Sequence, residues 1–131
     1  MNKKIVAIPA ISLALLVTGC RTANPVMNLE SVPVQASSRL TTDQVYKTIA
    51  DAGSSLGWII RKEAPGHAVG TLSLREHRAV VDITYDSTSY SIRYKDSENL
   101  KYDSAKNTIH PNYNGWVTNL NKSIATRLAA K

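Results

Sequence analysis

The sequence predicts an α+β domain: a four-stranded antiparallel meander with two helices packed on one of its faces, in the order αββββα. Three observations lead there. Between residues 58 and 95, apolar side chains recur with period two in four consecutive segments. On either side of that block, residues 42–56 and 111–128 carry apolar stripes at helical spacing. Turn-forming residues separate the strand-like segments by gaps short enough for hairpins. A one-sided sheet and two one-sided helices bury their apolar surface most economically when both helix stripes lie on the same sheet face.

The first helix opens on Thr41-Thr42-Asp43-Gln44, which has the form of a capping box with Thr41 as N-cap and Gln44 reaching back to it. Val45, Ile49, Ala52 and Leu56 then recur along one narrow stripe, and Gly57 suits a left-handed C-terminal cap. So narrow a stripe calls for one-sided packing on something flat.

The four strand segments are WIIRKEA (58–64), AVGTLSLRE (68–76), AVVDITYD (79–86) and SYSIRYK (89–95), all rich in β-branched and aromatic residues. Parity sets their registers. With Ser87-Thr88 as a two-residue loop, Val81 faces Tyr94, Ile83 faces Ile92 and Tyr85 faces Tyr90. With His77-Arg78 as another, Leu74 faces Val81, Leu72 faces Ile83 and Gly70 faces Tyr85. A strict Pro65-Gly66 loop would put Ile60 opposite Thr71, on the wrong face. A bulge or a three-residue loop is therefore expected near Pro65–His67, bringing Trp58 and Ile60 onto the apolar face.

Between the last strand and the second helix runs KDSENLKYDSAKNTIH (95–110), longer than most connections in compact domains. Leu100 and Tyr102 alternate and Thr108-Ile109 is a short β-like pair. This predicts an extra small hairpin at about 99–110, turning at Ser104–Asn107, and ranks a structural crossover that positions Trp116 above a ligand loop. Pro111 fits the first helical position, where its missing N–H costs nothing. Tyr113, Trp116, Val117, Leu120, Ile124 and Leu128 follow as one stripe.

The N-terminal stretch MNKKIVAIPAISLALLVTGC has a basic start at Lys3 and Lys4 and an apolar run from Ile5 to Val17. That run is too short to span a bilayer comfortably and reads as a secretory signal. Its end, Val17-Thr18-Gly19-Cys20, resembles the lipobox of bacterial lipoproteins, and Cys20 is the chain's single cysteine. The resemblance implies removal of residues 1–19 and lipidation of Cys20 (palmitate among the acyl chains), leaving no thiol for a disulfide or a nucleophile. It further implies a protein anchored to a membrane of the cell envelope. Arg21, where an inner-membrane lipoprotein would carry Asp, favours the outer membrane. The expected organisation is signal peptide 1–19, lipid-anchored tether 20–40 and a single domain 41–131. Within the tether, Val26, Met27, Leu29, Val32 and Val34 keep open a second reading, an extended arm lying on the domain. Residues 42–95, with a helix running into Leu56-Gly57-Trp58, a strand, a Pro-Gly turn and a long hairpin, are also similar to small helix-grip α/β domains of envelope lipoproteins. These motifs are generic, and no functional residue is transferred from that likeness.

Charge and motifs narrow the function classes. The formal net charge is +6, of which Lys3 and Lys4 supply two. So mild an excess argues against a nucleic-acid partner and is compatible with anionic lipid headgroups, lipopolysaccharide or peptidoglycan. His67, His77 and His110 lack ligand spacing for zinc, and no Gly-x-Ser-x-Gly elbow or Gly-rich phosphate loop occurs. The expectation is a protein that is not an enzyme and uses no cofactor or metal. The uncovered sheet face offers Arg75, Asp82 and Arg93, with Asp82 expected to pair with Arg75 or Arg93. The rim around the crossover offers Tyr102, Asn112 and Trp116. The sequence thus suggests a non-catalytic interaction module with an envelope protein partner. The alternative is a small-ligand or glycan binder using the Tyr/Trp/Asn rim.

Overall fold

The computed structural model describes residues 23–131; the signal segment and the lipidation expected at Cys20 fall outside the described residues. The domain is α+β, with two helices on one face of an antiparallel sheet, but the sheet has five strands rather than four. The additional strand comes from the segment expected to be a tether, so the arm reading describes residues 24–34.

In chain order the elements are β1 (Asn24–Pro25), β2 (Leu29–Pro33), α1 (Thr42–Ser55), β3 (Trp58–Ala64), β4 (His67–Leu74), β5 (His77–Tyr85), β6 (Ser89–Glu98), β7 (Thr108–Ile109) and α2 (Pro111–Ala129). The main sheet runs β2-β6-β5-β4-β3, and β1 pairs with β7 in a separate two-stranded ribbon. Thr41 and Gln44 form the expected reciprocal capping box on α1. His110 caps α2, its Nδ1 accepting from the Asn112 N–H at 3.1 Å, with Pro111 as the first helical residue.

Two of the three hairpins follow the parity reading. β5 and β6 pair Val81 with Tyr94, Ile83 with Ile92 and Tyr85 with Tyr90. At the β3–β4 hairpin the register shifts between Lys62 and Ala64, so Trp58 meets Leu72 and Ile60 meets Gly70 on the apolar face. The β4–β5 hairpin differs. Its turn is Arg75-Glu76, not His77-Arg78, and it pairs Leu72 with Ala79, Gly70 with Val81 and Ala68 with Ile83. The two registers keep every side chain on the same face because the period is two, so face parity alone could not separate them. Packing separates them. A Cβ on Gly70 would lie 3.0 Å from Ile60 Cδ1 and 3.1 Å from Val81 Cγ2. Directly above, a Cβ on Gly53 of α1 would fall 2.6 Å from Ile60 Cγ1. Two glycines thus make room for Ile60 between sheet and helix, and α1 settles close against β3.

One core results. Val45, Ile49 and Ala52 from α1, Tyr113, Val117, Leu120, Ile124 and Leu128 from α2, and the inward residues of β3–β6 belong to a single buried cluster. The crossover folds as expected into a small hairpin: Asp103 and Thr108 exchange backbone hydrogen bonds at 2.9 and 3.2 Å, and residues 104–107 turn. Its Leu100 and Ile109 are buried, so the stretch is part of the core rather than a free lid.

The arm is fastened along its length. β1 pairs Asn24 with Ile109 and Pro25 with Thr108. The Asn114 carboxamide then acts as a surrogate strand, accepting from the Met27 N–H at 3.0 Å and donating to the Pro25 carbonyl at 2.9 Å. Asn28 Oδ1 accepts from the Tyr94 N–H, and β2 continues along β6 with Leu29 opposite Ile92 and Val32 opposite Tyr90. Ser31 sits in a bulge at φ 50°, its N–H bonded to Ser91 Oγ. Val26, Met27, Leu29, Val32 and Val34 pack on the core, which accounts for their apolar character.

Candidate interaction surfaces

The six residues singled out from the sequence divide between two places. Asp82 and Arg93 lie on the sheet face that no helix covers. Tyr102, Asn112 and Trp116 lie around the start of α2, and Arg75 belongs with them rather than on the sheet.

On the open face, Asp82 and Arg93 are register partners, yet they do not pair with each other through their charges. Arg93 forms a two-pronged ion pair with Glu30 of β2, Nε to Oε1 at 2.7 Å and Nη2 to Oε2 at 2.6 Å, and Nη1 also donates to Thr84. The Arg93 hydrogen bonds and charge hold the Glu30 carboxyl below its usual range. Asp82 meets His67 Nε2 at 2.7 Å and Lys95 Nζ at 3.6 Å instead. The expected pairing of Asp82 with Arg75 or Arg93 is therefore corrected. The arm strand brings in a better-placed carboxylate for Arg93, and Arg75 turns away in the β4–β5 hairpin at φ 57°. Glu30 and His67 were the residues missed. The signal for Glu30 was its place in LESVP, legible only once that segment is read as a strand.

The rim residues are largely occupied by one another. Tyr102 stacks on Tyr94 with ring centroids 4.2 Å apart, and Tyr94 meets Tyr113 edge-on at 5.6 Å. Tyr94 Oη lies 2.8 Å from Ser97 Oγ, and partial burial raises the phenol's pKa. The His77 ring sits 6.3 Å from Trp116, and His77 Nδ1 lies 2.8 Å from the Asn99 carbonyl. Asn99 donates its amide to the Glu76 carbonyl at 2.7 Å. Asn99 and Asn114 thus serve the β4–β5 turn and the arm rather than a ligand. Asn112 keeps an exposed side chain, and Tyr102 stays 40 % exposed. An open groove of about 640 Å³ lies beside the stacked Tyr94–Tyr102 pair, with Lys95, Asp96, Asn99 and Lys101 along it. Among the described residues no group of three or more His, Cys, Asp or Glu side chains comes together, and no helix is long and apolar enough to cross a membrane.

No family model matches the chain, and searches of curated proteins and of solved structures return no similar protein.

Proposed function

We propose that this chain is a lipoprotein of the bacterial cell envelope, anchored in the outer membrane through acyl chains on Cys20, whose domain binds a protein partner without acting on it as an enzyme. The lipobox-like Val17-Thr18-Gly19-Cys20 supports the anchor, because it closes an apolar run of signal length at the single cysteine. One observation carries the binding role. Tyr94, Tyr113, Asn99 and Asn114 of the rim are tied up in internal contacts, whereas the flat face of β3–β6 displays charges and the Ile59 side chain to solvent. A broad sheet face with fixed, paired charges suits recognition of a complementary protein surface, where charge arrangement sets partner choice and register.

Cys20→Ser is expected to move the protein from the membrane fraction to the soluble fraction; retention in the membrane would end the lipid-anchor reading. A photo-crosslinking residue at Arg61 or Thr71, on the open face, is expected to give one discrete adduct with another envelope protein in cells. Adducts absent from both positions would end the interaction reading. The groove beside the stacked Tyr94–Tyr102 pair supports the second reading, a glycan or small ligand held against the rings. Saturable quenching or enhancement of Trp116 fluorescence by soluble peptidoglycan fragments, lost in Tyr102→Ala, would favour it.

A further inference from the structure

The end of the domain from which the chain leaves toward Cys20 is also the end where its exposed apolar side chains gather. β1 runs antiparallel to β7, so the backbone preceding Asn24 leaves the ribbon beside His110, at the start of α2. Three residues, Arg21 to Ala23, separate Cys20 from Asn24. At full extension they allow about 14 Å between the two Cα atoms. Asn24 itself cannot swing away, because the ribbon and the Asn114 clamp on Pro25 and Met27 hold it to the domain.

A short chain of contacts places the rest of this end. His110 donates its N–H to the Leu100 carbonyl at 2.8 Å. The neighbouring Asn99 is bonded to Glu76 and His77 of the β4–β5 turn, and His77 lies opposite Leu74. Leu72, two residues before Leu74, pairs with Trp58, which follows Leu56 and Gly57 at the C-terminal end of α1. Leu56 is 41 % exposed, Leu74 46 % and Tyr102 40 %; Ile59, 58 % exposed, follows Trp58 on the open sheet face, and Trp116 is half-buried beside His77. Exposed Arg75 and Lys101 stand among them; the exposed acids nearby are Glu76, and Asp96 and Glu98, which both pair with Arg78. Among the described residues, the opposite end of the domain, with the Pro65-Gly66 and Ser87-Thr88 turns and the start of α1, exposes no large apolar side chain.

We infer that this end, with Leu56, Leu74, Tyr102 and Trp116, docks onto the lipid surface in which Cys20 is anchored, so that the domain sits directly on the leaflet in one orientation. The inference rests on the lipid-anchor reading of Cys20. Aliphatic side chains with aromatics that keep a polar edge, interspersed with arginine and lysine, are the composition that settles at the boundary between headgroups and acyl chains. The arm supplies what such weak individual contacts lack. With the acyl chains a few residues away, the end meets the bilayer at high effective concentration, and shallow contacts suffice to fix the tilt.

The test uses the lipidated full chain in vesicles of outer-membrane phospholipid, with one nitroxide label at a time on Leu56→Cys, Leu74→Cys or Ala64→Cys. All three positions are exposed, and Ala64 adjoins the Pro65-Gly66 turn at the far end. Labels at 56 and 74 are expected to collide several-fold more with lipid-dissolved oxygen than with a water-soluble nickel chelate, and the label at 64 to show the reverse. Membrane-bound protein whose three labels all behave as in water would overturn the docking while leaving the anchor intact. Labels at 56 and 74 shielded from both reagents would mean that a protein covers this end, and would also overturn it. Protein found in the soluble fraction, with unmodified Cys20, would overturn the anchor and the docking together. A doubly substituted Leu56→Asp, Leu74→Asp protein gives a second reading. It should stay in the membrane fraction with unchanged circular dichroism, but the protection from protease that membrane contact gives Arg75 and Lys101 should be lost.

Discussion

Tyr90 and Tyr113 lie equally deep, yet only one of their hydroxyls has a partner. Tyr90 donates to Asn121 Oδ1 at 2.6 Å, whereas the Tyr113 hydroxyl is buried with none among the described residues. A buried hydroxyl without a partner carries its desolvation penalty and returns nothing, so removing it is nearly neutral or favourable. Tyr90→Phe is therefore expected to lower unfolding stability by about 1 kcal/mol, and Tyr113→Phe to leave it unchanged or raise it by up to about 1 kcal/mol. Urea midpoints at constant m would show this, and equal losses in both variants would refute the difference. From sequence, both tyrosines were legible as apolar-face residues. Their hydrogen bonding was not, because a partner such as Asn121 is set by how α2 lies on the sheet rather than by any local pattern. The same holds on the open face. Parity placed Asp82 and Arg93 side by side, but which charges meet was decided by Glu30, which lies 63 residues before Arg93 in the chain.

Among the elements, the arm is the one the sequence described least well. Five residues of LESVP, ending in Pro33 and preceded by Pro25, give no usable period, and a β-bulge at Ser31 breaks even the short alternation. Its apolar residues were the legible part, since a true tether has no reason to carry them. The crossover was more legible. Leu100 and Ile109 mark its buried side and Asp103 its turn, where the carboxylate accepts from the Ala105 and Lys106 N–H groups. The β4–β5 hairpin shows the opposite limit, a correct face with the wrong partners. Because the Asn114 carboxamide clamps both Pro25 and Met27 to α2, with only a weak Thr118 hydroxyl contact to Met27 Sδ beside it at 3.5 Å, Asn114→Ala should act on this element selectively. Loss of a two-sided amide clamp is expected to lower stability by about 1–3 kcal/mol. Hydrogen exchange should quicken at Met27 and along residues 29–33 while β4 and β5 stay protected. Uniform loss of protection would show that the arm is not a separable unit.

For the molecule as a whole, the arm defines where the domain begins. A fragment of residues 41–131, the extent the sequence suggested, would leave the outer edge of β6 unpaired and uncover core contacts made by Met27, Leu29 and Val32. Open edges of this kind pair with other chains. That fragment is expected to melt well below residues 23–131 and to self-associate with rising concentration in sedimentation, whereas the longer fragment stays monomeric. A fragment of 41–131 that is as stable and as soluble as the longer one would show that the arm is an ornament of the fold.

β2 also imposes an order in time. It comes first off the ribosome, yet its only neighbour in the sheet, β6, is made about sixty residues later, and closing so long a loop is slow compared with forming the local hairpins β3–β4, β4–β5 and β5–β6. The arm is thus expected to dock last, and pulse-labelled refolding should show β5 amides protected before those of Leu29 and Val32. Until then the outer edge of β6 stands open and the core positions later covered by Met27, Leu29 and Val32 are bare, so that interval is the one in which a second copy's strand competes with the chain's own arm for the same edge.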